Sequence, residues 1–289
     1  MDMYRNNDAL KKKLLEVFKF TIDFLNRHGL RWWACGGTML GAVRHHDIIP
    51  WDDDIDIMMP RDDYNRLLCL KEEFRSTKYV LLSPADKDYY LAFAKICDWN
   101  TTIIESRSYR KALGVYVDIF PLDRFDYTHE EYIKKGRQYR RKLFAFNMAM
   151  TRFSIKEAVN SIVERHFGIF FYGCISVLYP YRLREMFKKR FLEVEQVFNK
   201  GCGEHIASPT GAYGAKEFFR EEWFDKTVEV PFNDFEVYVP SNYHEYLTVM
   251  YGNYMELPPV EKRESHHGMF YVNLDHHYEW EELNRLGLL

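Results

Sequence analysis

Apolar residues recur at helical spacing over residues 8–28, where Leu10, Leu14, Val17, Phe18, Ile22 and Leu25 share one face and lysines and acids fill the other. This pattern predicts a packing helix. A short apolar run at 31–35 reads as a buried strand, ended by Gly36-Gly37 and followed by a helical segment from about Thr38. Residues 61–75 place Tyr64, Leu67, Leu68 and Phe74 on one face behind Asp62 and Asp63, acids that suit a helix start. Residues 79–83, 91–98 and 101–105 read as strands. In 114–123, Val115, Val117 and Ile119 alternate with Tyr116, Asp118 and Phe120, the period of a pleated strand. Residues 201–214 read as loop. Apolar alternation at 227–230 and 235–239, separated by Asn233-Asp234, predicts a hairpin, and 243–250 a helix. Strands interleaved with helices place the chain in the α/β class.

Composition narrows the picture. At 289 residues the chain can bury a large core, and its net charge of -3 argues against general nucleic-acid binding. The five cysteines are scattered, odd in number and lack C-x-x-C spacing, so neither a zinc site nor a disulfide framework is expected. A reduced, cytoplasmic setting fits. The polar N-terminus predicts no signal peptide, and no run of about 18 apolar residues predicts a membrane span. One segment stands out. Residues 134–190 hold 14 Lys and Arg against three acids, around the apolar and aromatic run 167–178. Such a segment either lies peripherally on an anionic membrane, here the inner face of the cell membrane, or packs its apolar side on the core as a helical insertion.

The candidate chemistry lies between Trp33 and Pro60. Gly36 and Gly37 permit a turn that lets a phosphate approach, with Thr38 beside them. Asp52, Asp53, Asp54 and Asp56 then follow, framed by Ile48 to Trp51 and by Ile57 to Met59. In an extended strand Asp52, Asp54 and Asp56 share one face and Asp53 takes the other. Carboxylates so fixed repel one another unless a cation sits between them, and hard oxygen ligands suit Mg²⁺. Arg44 has a guanidinium suited to phosphate, or is a surface arginine. Lys95 lies in an apolar run and either faces the carboxylates or a phosphate, or snorkels from an edge strand. Asp118 is set among large apolar neighbours. It either joins the acids or caps a turn at Pro121, a role that Asp123 fits better.

Glycine turn, short helix and Asp-x-Asp strand come in the order of nucleotidyltransferase-fold enzymes. More closely, residues 36–45 (GGTMLGAVRH) and 49–57 (IPWDDDIDI) resemble the signature of the LicD family, as do 114–123 and the closing 251–259 (YGNYMELPP) with Arg263 and His266 or His267 after it. The resemblance covers about 30–125 and 215–268. It implies a nucleotidyltransferase-type mixed sheet with a helical insertion at 128–200, in a single catalytic unit over 1–289. It implies transfer of phosphocholine, or a related alditol phosphate, from a CDP-linked donor such as CDP-choline to a glycan or lipid-linked sugar acceptor, with release of CMP. Asp54, Asp56 and Asp118 would be the metal-binding and catalytic carboxylates, with Asp118 completing the Mg²⁺ site or taking the acceptor proton. Gly36, Gly37, Thr38, Arg44 and Lys95 would line the donor phosphates, and Arg263 and His266 the acceptor pocket. A choline head group suits an aromatic cage, whose members the sequence does not identify. Two rivals stay open: a nucleotidyltransferase that transfers the nucleotide and releases pyrophosphate, and an inactive scaffold.

Overall fold

The computed structural model describes residues 8–106, 109–126, 128–150, 186, 188–189, 203–211, 213–263 and 269–289. The chain opens on α1 (Asp8–Arg27), β1 (Trp33–Ala34), α2 (Gly36–His45), β2 (Asp56–Pro60) and α3 (Arg61–Cys69). The strands β3 (Tyr79–Leu82), β4 (Ala94–Ile104) and β5 (Leu113–Phe125) follow, then α4 (His129–Met150), β6 (His205–Ala207) and β7 (Phe218–Arg220). A hairpin of β8 (Thr227–Phe232) and β9 (Phe235–Pro240), then α5 (Tyr243–Tyr251), β10 (Tyr271–Asn273) and α6 (Trp280–Arg285) close it.

The main sheet is mixed, with path β1-β2-β5-β4-β10; β3 adds to β4, and β6 and β7 extend it from the far end of β5. Among the described residues only the β2–β5 pairing is parallel, with Asp56 opposite Asp118; β4 runs antiparallel to β5 with Lys95 opposite Asp118. This bears out the α/β reading. β5 changes partners along its length: it pairs with β4 up to Ile119 and with β6 from Asp123. Pro121 sits inside this strand, beside Met59, where an absent N–H is least costly because the antiparallel partner changes there. There is thus no turn at Pro121 for Asp118 or Asp123 to cap. Asp123 instead takes a buried two-point ion pair from Arg61 at the start of α3, Nε to Oδ1 at 2.6 Å and Nη2 to Oδ2 at 2.8 Å.

The helix of α1 packs its apolar face against the sheet, and Phe18 meets Trp32, Phe232 and Phe235 edge-on, joining helix, strand and hairpin. Several expectations need redrawing. The two strands read at 91–98 and 101–105 are one strand, β4, with an irregularity between Asp98 and Ile103. The helix read at 61–75 breaks after Cys69 into a 3₁₀ segment, Lys71–Ser76. The stretch read as loop at 201–214 contains β6, whose pairing partners lie far away in sequence.

Within the basic segment, α4 begins with a capping box: Thr128 and Glu131 exchange hydrogen bonds between side chain and backbone. Tyr132, Tyr139 and Phe146 of α4 are buried. The aromatic run 167–178 lies outside the described residues. No helix among the described residues is long and apolar enough to cross a membrane.

Candidate active site

Hydrogen-bond register builds the site. Residues directly opposite on neighbouring strands point to the same face. Asp56 of β2, Asp118 of β5 and Lys95 of β4 therefore form one row across three strands. Their successors Ile57 and Ile119 point to the other face and are fully buried. The backbone of the two acids in the row is fixed by hydrogen bonds. Asp56 N–H donates to Thr38 Oγ1 at 2.8 Å, and Asp118 N–H donates to the Ile55 carbonyl at 2.8 Å.

Lys95 is buried, so its ammonium demands compensation. Asp118 Oδ1 lies 2.7 Å from Nζ, Glu105 Oε1 lies 3.1 Å away, and the Tyr116 ring centroid is 3.2 Å from Nζ. Burial alone would lower the lysine pKa, but Asp118 and Glu105 outweigh it and hold the ammonium firmly charged. Glu105 is itself held below its ordinary value, against its burial, by Lys95 and by hydrogen bonds from Tyr116 and Tyr90. Lys95 thus faces the carboxylates and does not snorkel.

Asp56 has the opposite environment. Burial raises its pKa well above the ordinary carboxylate value; Asp54, Asp118 and Asp52 add to the rise, and only Lys95 opposes it. The acids before it do not follow strand alternation, because β2 starts at Asp56. Asp53 was expected on the far face, yet oxygens of Asp52, Asp53 and Asp54 all lie within 4.8 Å of one another. An irregular chain at 52–55 turns all three toward a common point.

The glycines serve this acid cluster directly. Gly36, at φ +52°, takes a conformation that side chains rarely adopt, and a Cβ there would stand 3.3 Å from Asp56 Oδ2. A Cβ on Gly37 would stand 2.5 Å from Asp52 Oδ2. The Gly36 N–H donates to the Tyr246 hydroxyl at 3.3 Å. Close approach is needed here, but the group approaching in this structure is carboxylate. Thr38 is engaged with the Asp56 backbone, and Arg44 donates from Nη1 to the Tyr254 carbonyl at 2.7 Å, tying α2 to the closing segment. Arg263 donates to the Pro258 carbonyl at 2.9 Å and stacks 5.4 Å from the Trp51 ring, beside Asp52. His266 and His267 lie outside the described residues.

A cavity opens beside Asp56. Its walls include Gly36, Phe120, Tyr213, Glu217 and Tyr246. Tyr213 and Tyr251 bond through their hydroxyls at 3.2 Å at its edge. Sequence reasoning missed Glu217 and passed over Asp53. For Glu217 a signal existed: an acid directly before Phe218-Phe219, between a glycine-rich loop and an apolar pair, is an acid headed for the interior.

Residues 29–158, which carry every member of the Asp56–Asp118–Lys95 row, match the family described as LicD/FKTN/FKRP, nucleotidyltransferase domain. Over 257 residues the chain is 26% identical to the lipopolysaccharide cholinephosphotransferase LicD of Haemophilus influenzae, covering 88% of this chain and 92% of that protein. A shorter stretch of 52 residues is 42% identical to the human ribitol 5-phosphate transferase FKRP, 18% of this chain and 10% of that protein. The first of these alignments spans most of both chains, and the chain is similar to the LicD family over the nucleotidyltransferase domain at 29–158.

Proposed function

We propose that the chain is a phosphotransferase that moves phosphocholine, or a related head-group phosphate, from a CDP-activated donor to a sugar hydroxyl of a cell-surface glycan or teichoic acid precursor, releasing CMP. The observation that carries this reading is the carboxylate group beside an apolar cavity lined by Asp56: Asp56 and Asp118 side by side on parallel strands, with Asp52, Asp53 and Asp54 converging in the chain just before. The likeness to a cholinephosphotransferase over most of both chains, and locally to a ribitol 5-phosphate transferase, supports a head-group phosphate as the group moved.

Mg²⁺ belongs to this reading. The donor set fits a hard divalent cation, since oxygens of three carboxylates converge within 4.8 Å and Asp56 sits in the field of Asp54, Asp118 and Asp52. Asp54 belongs both to this converging group and to the expected Asp54, Asp56, Asp118 set. Bound there, the ion would neutralise charge on the donor phosphates. The protein's own part is positional. Thr38 fixes the Asp56 backbone, Lys95 fixes Asp118, and the Gly36-Gly37 turn leaves room in front of the acids. Arg44 and Arg263, each anchored on a carbonyl of the closing segment, would supply positive charge toward the donor phosphates and the acceptor pocket.

The test follows the phosphorus. With a CDP-linked donor labelled at the distal phosphorus, the label appears in the acceptor and unlabelled CMP is released. Nucleotide joined to the acceptor, with label freed as a phosphorylated head group, would overturn the reading in favour of a nucleotidyltransferase.

A further inference from the structure

Glu217 is a buried acid that shares the cavity with Asp56 but stands outside the carboxylate row. It lies directly before β7. Its environment differs in kind from that of Asp118. Asp118 is pinned to Lys95 at 2.7 Å, so its charge is already taken by a buried cation. Glu217 accepts a single backbone N–H, from Tyr213 to Oε1 at 2.8 Å. The other oxygen lies over Gly211, so close that a Cβ there would stand 1.5 Å from Oε2. The glycine thus makes the space in which the carboxyl stands. Among the described residues, titratable groups whose fields meet that of Glu217 include Cys35, Tyr132, Tyr213 and Tyr246. Lys216 turns away to the Met250 carbonyl, and Arg140 of α4 reaches Gly214; neither forms an ion pair with Glu217 among the described residues.

We infer that Glu217 is the general base for the acceptor hydroxyl, facing the donor phosphates across the cavity from Asp56. The inference rests on the proposed phosphotransfer and adds a residue outside the matched domain segment 29–158. In the step, the acceptor oxygen forms a bond to the distal phosphorus while its proton passes to a Glu217 oxygen. The bond from that phosphorus to the bridging oxygen breaks, and its electron pair leaves with CMP. The proton then passes from Glu217 to solvent, restoring the carboxylate. Burial supports the assignment: it raises the Glu217 carboxyl from 4.5 to about 7, where a carboxylate can accept a proton and release it again near neutrality.

The experiment uses the full chain with Mg²⁺, CDP-choline or CDP-ribitol as donor and a panel of methyl glycosides as hydroxyl donors, reading CMP release against pH. In the wild type, kcat rises with pH through about 7. In Glu217→Gln, kcat falls on the order of 10²- to 10⁴-fold, KM for the donor stays within about threefold, and the rise with pH is lost. In Glu217→Ala, added formate restores part of the rate. The alanine variant keeps the test alive if the glutamine variant melts early. An unchanged pH profile in Glu217→Gln, a loss confined to KM, or no rescue by formate in folded Glu217→Ala overturns the assignment of Glu217 alone. No transfer by the wild type from either donor overturns the phosphotransfer reading, and the role of Glu217 with it.

Discussion

At the scale of single residues, the site separates a charge that is compensated from one that is not. Lys95, Asp118 and Glu105 form a closed buried set, and such sets are damaged most by losing one partner. Lys95→Met leaves two buried acids without their cation and lowers stability by on the order of 3–5 kcal/mol, read by chemical denaturation. Adding Asp118→Asn to it recovers part of that loss while transfer stays abolished. Asp56 has the reverse character. Burial and three neighbouring carboxylates hold its pKa up, so the folded state binds its proton more tightly than the unfolded chain does. Stability from this group therefore falls as pH rises above its ordinary value of 3.8. Asp56→Asn accordingly melts higher than wild type in EDTA at pH 8, yet loses at least about 100-fold in transfer. Mg²⁺ raises the melting temperature of the wild type more than that of the variant. Glu217 obeys the same sign. Its carboxyl, raised from 4.5 to about 7, lowers stability across that window as pH climbs. Glu217→Gln becomes the more stable protein above pH 7, by on the order of 3 kcal/mol at most, measured by urea unfolding at pH 5 and pH 8.

At the scale of elements, turns and strand register do the positioning. The Gly36-Gly37 turn starts α2 against the acids, and Gly37→Ala forces the Asp52 carboxylate aside from its 2.5 Å approach. Its expected outcome is a weaker Mg²⁺-dependent rise in melting temperature, with the metal-free melt changed by no more than a few degrees. Much of this was legible in the sequence. Alternation around Asp118 and the apolar frame around Lys95 put both on strands, and the pairing then brought them together. What was not legible depended on partners distant in the chain. Asp53 was assigned to the wrong face because alternation holds only inside a strand, and β2 begins three residues later. For Glu217 the sequence signalled an interior acid but not its place at the site, because β6 and β7 are short and take their place only by pairing to the end of β5. The Arg61–Asp123 pair was unreadable for the same reason, since α3 and β5 meet only in the folded sheet.

At the scale of the whole molecule, charge is unevenly shared. The segment 134–190 is strongly basic, whereas the chain as a whole carries -3. We propose that this segment binds anionic vesicles, with a lipid-linked acceptor as the reason for it; co-sedimentation at low ionic strength that falls with added salt is the expected result. Absence of co-sedimentation at low salt would leave the segment as an insertion packed on the core. α4 already commits Tyr132, Tyr139 and Phe146 to the interior, and its exposed side carries Arg137, Arg141 and Lys142. The class of the fold and the order of its catalytic segments could be read in advance because strong periodicity and the acid-rich stretch coincide there. The middle of the chain, basic and aromatic throughout, offered two readings of one pattern.

The change of partners along β5 has a mechanical consequence. Asp118 lies on its first half, and its second half carries β6, which carries β7, next to which Glu217 stands. Two acids that never touch are therefore suspended from one beam. Substitutions near Pro121, where β5 passes from one antiparallel partner to the next, should therefore alter the spacing of the two acids and with it the rate, read by kcat beside the melting temperature.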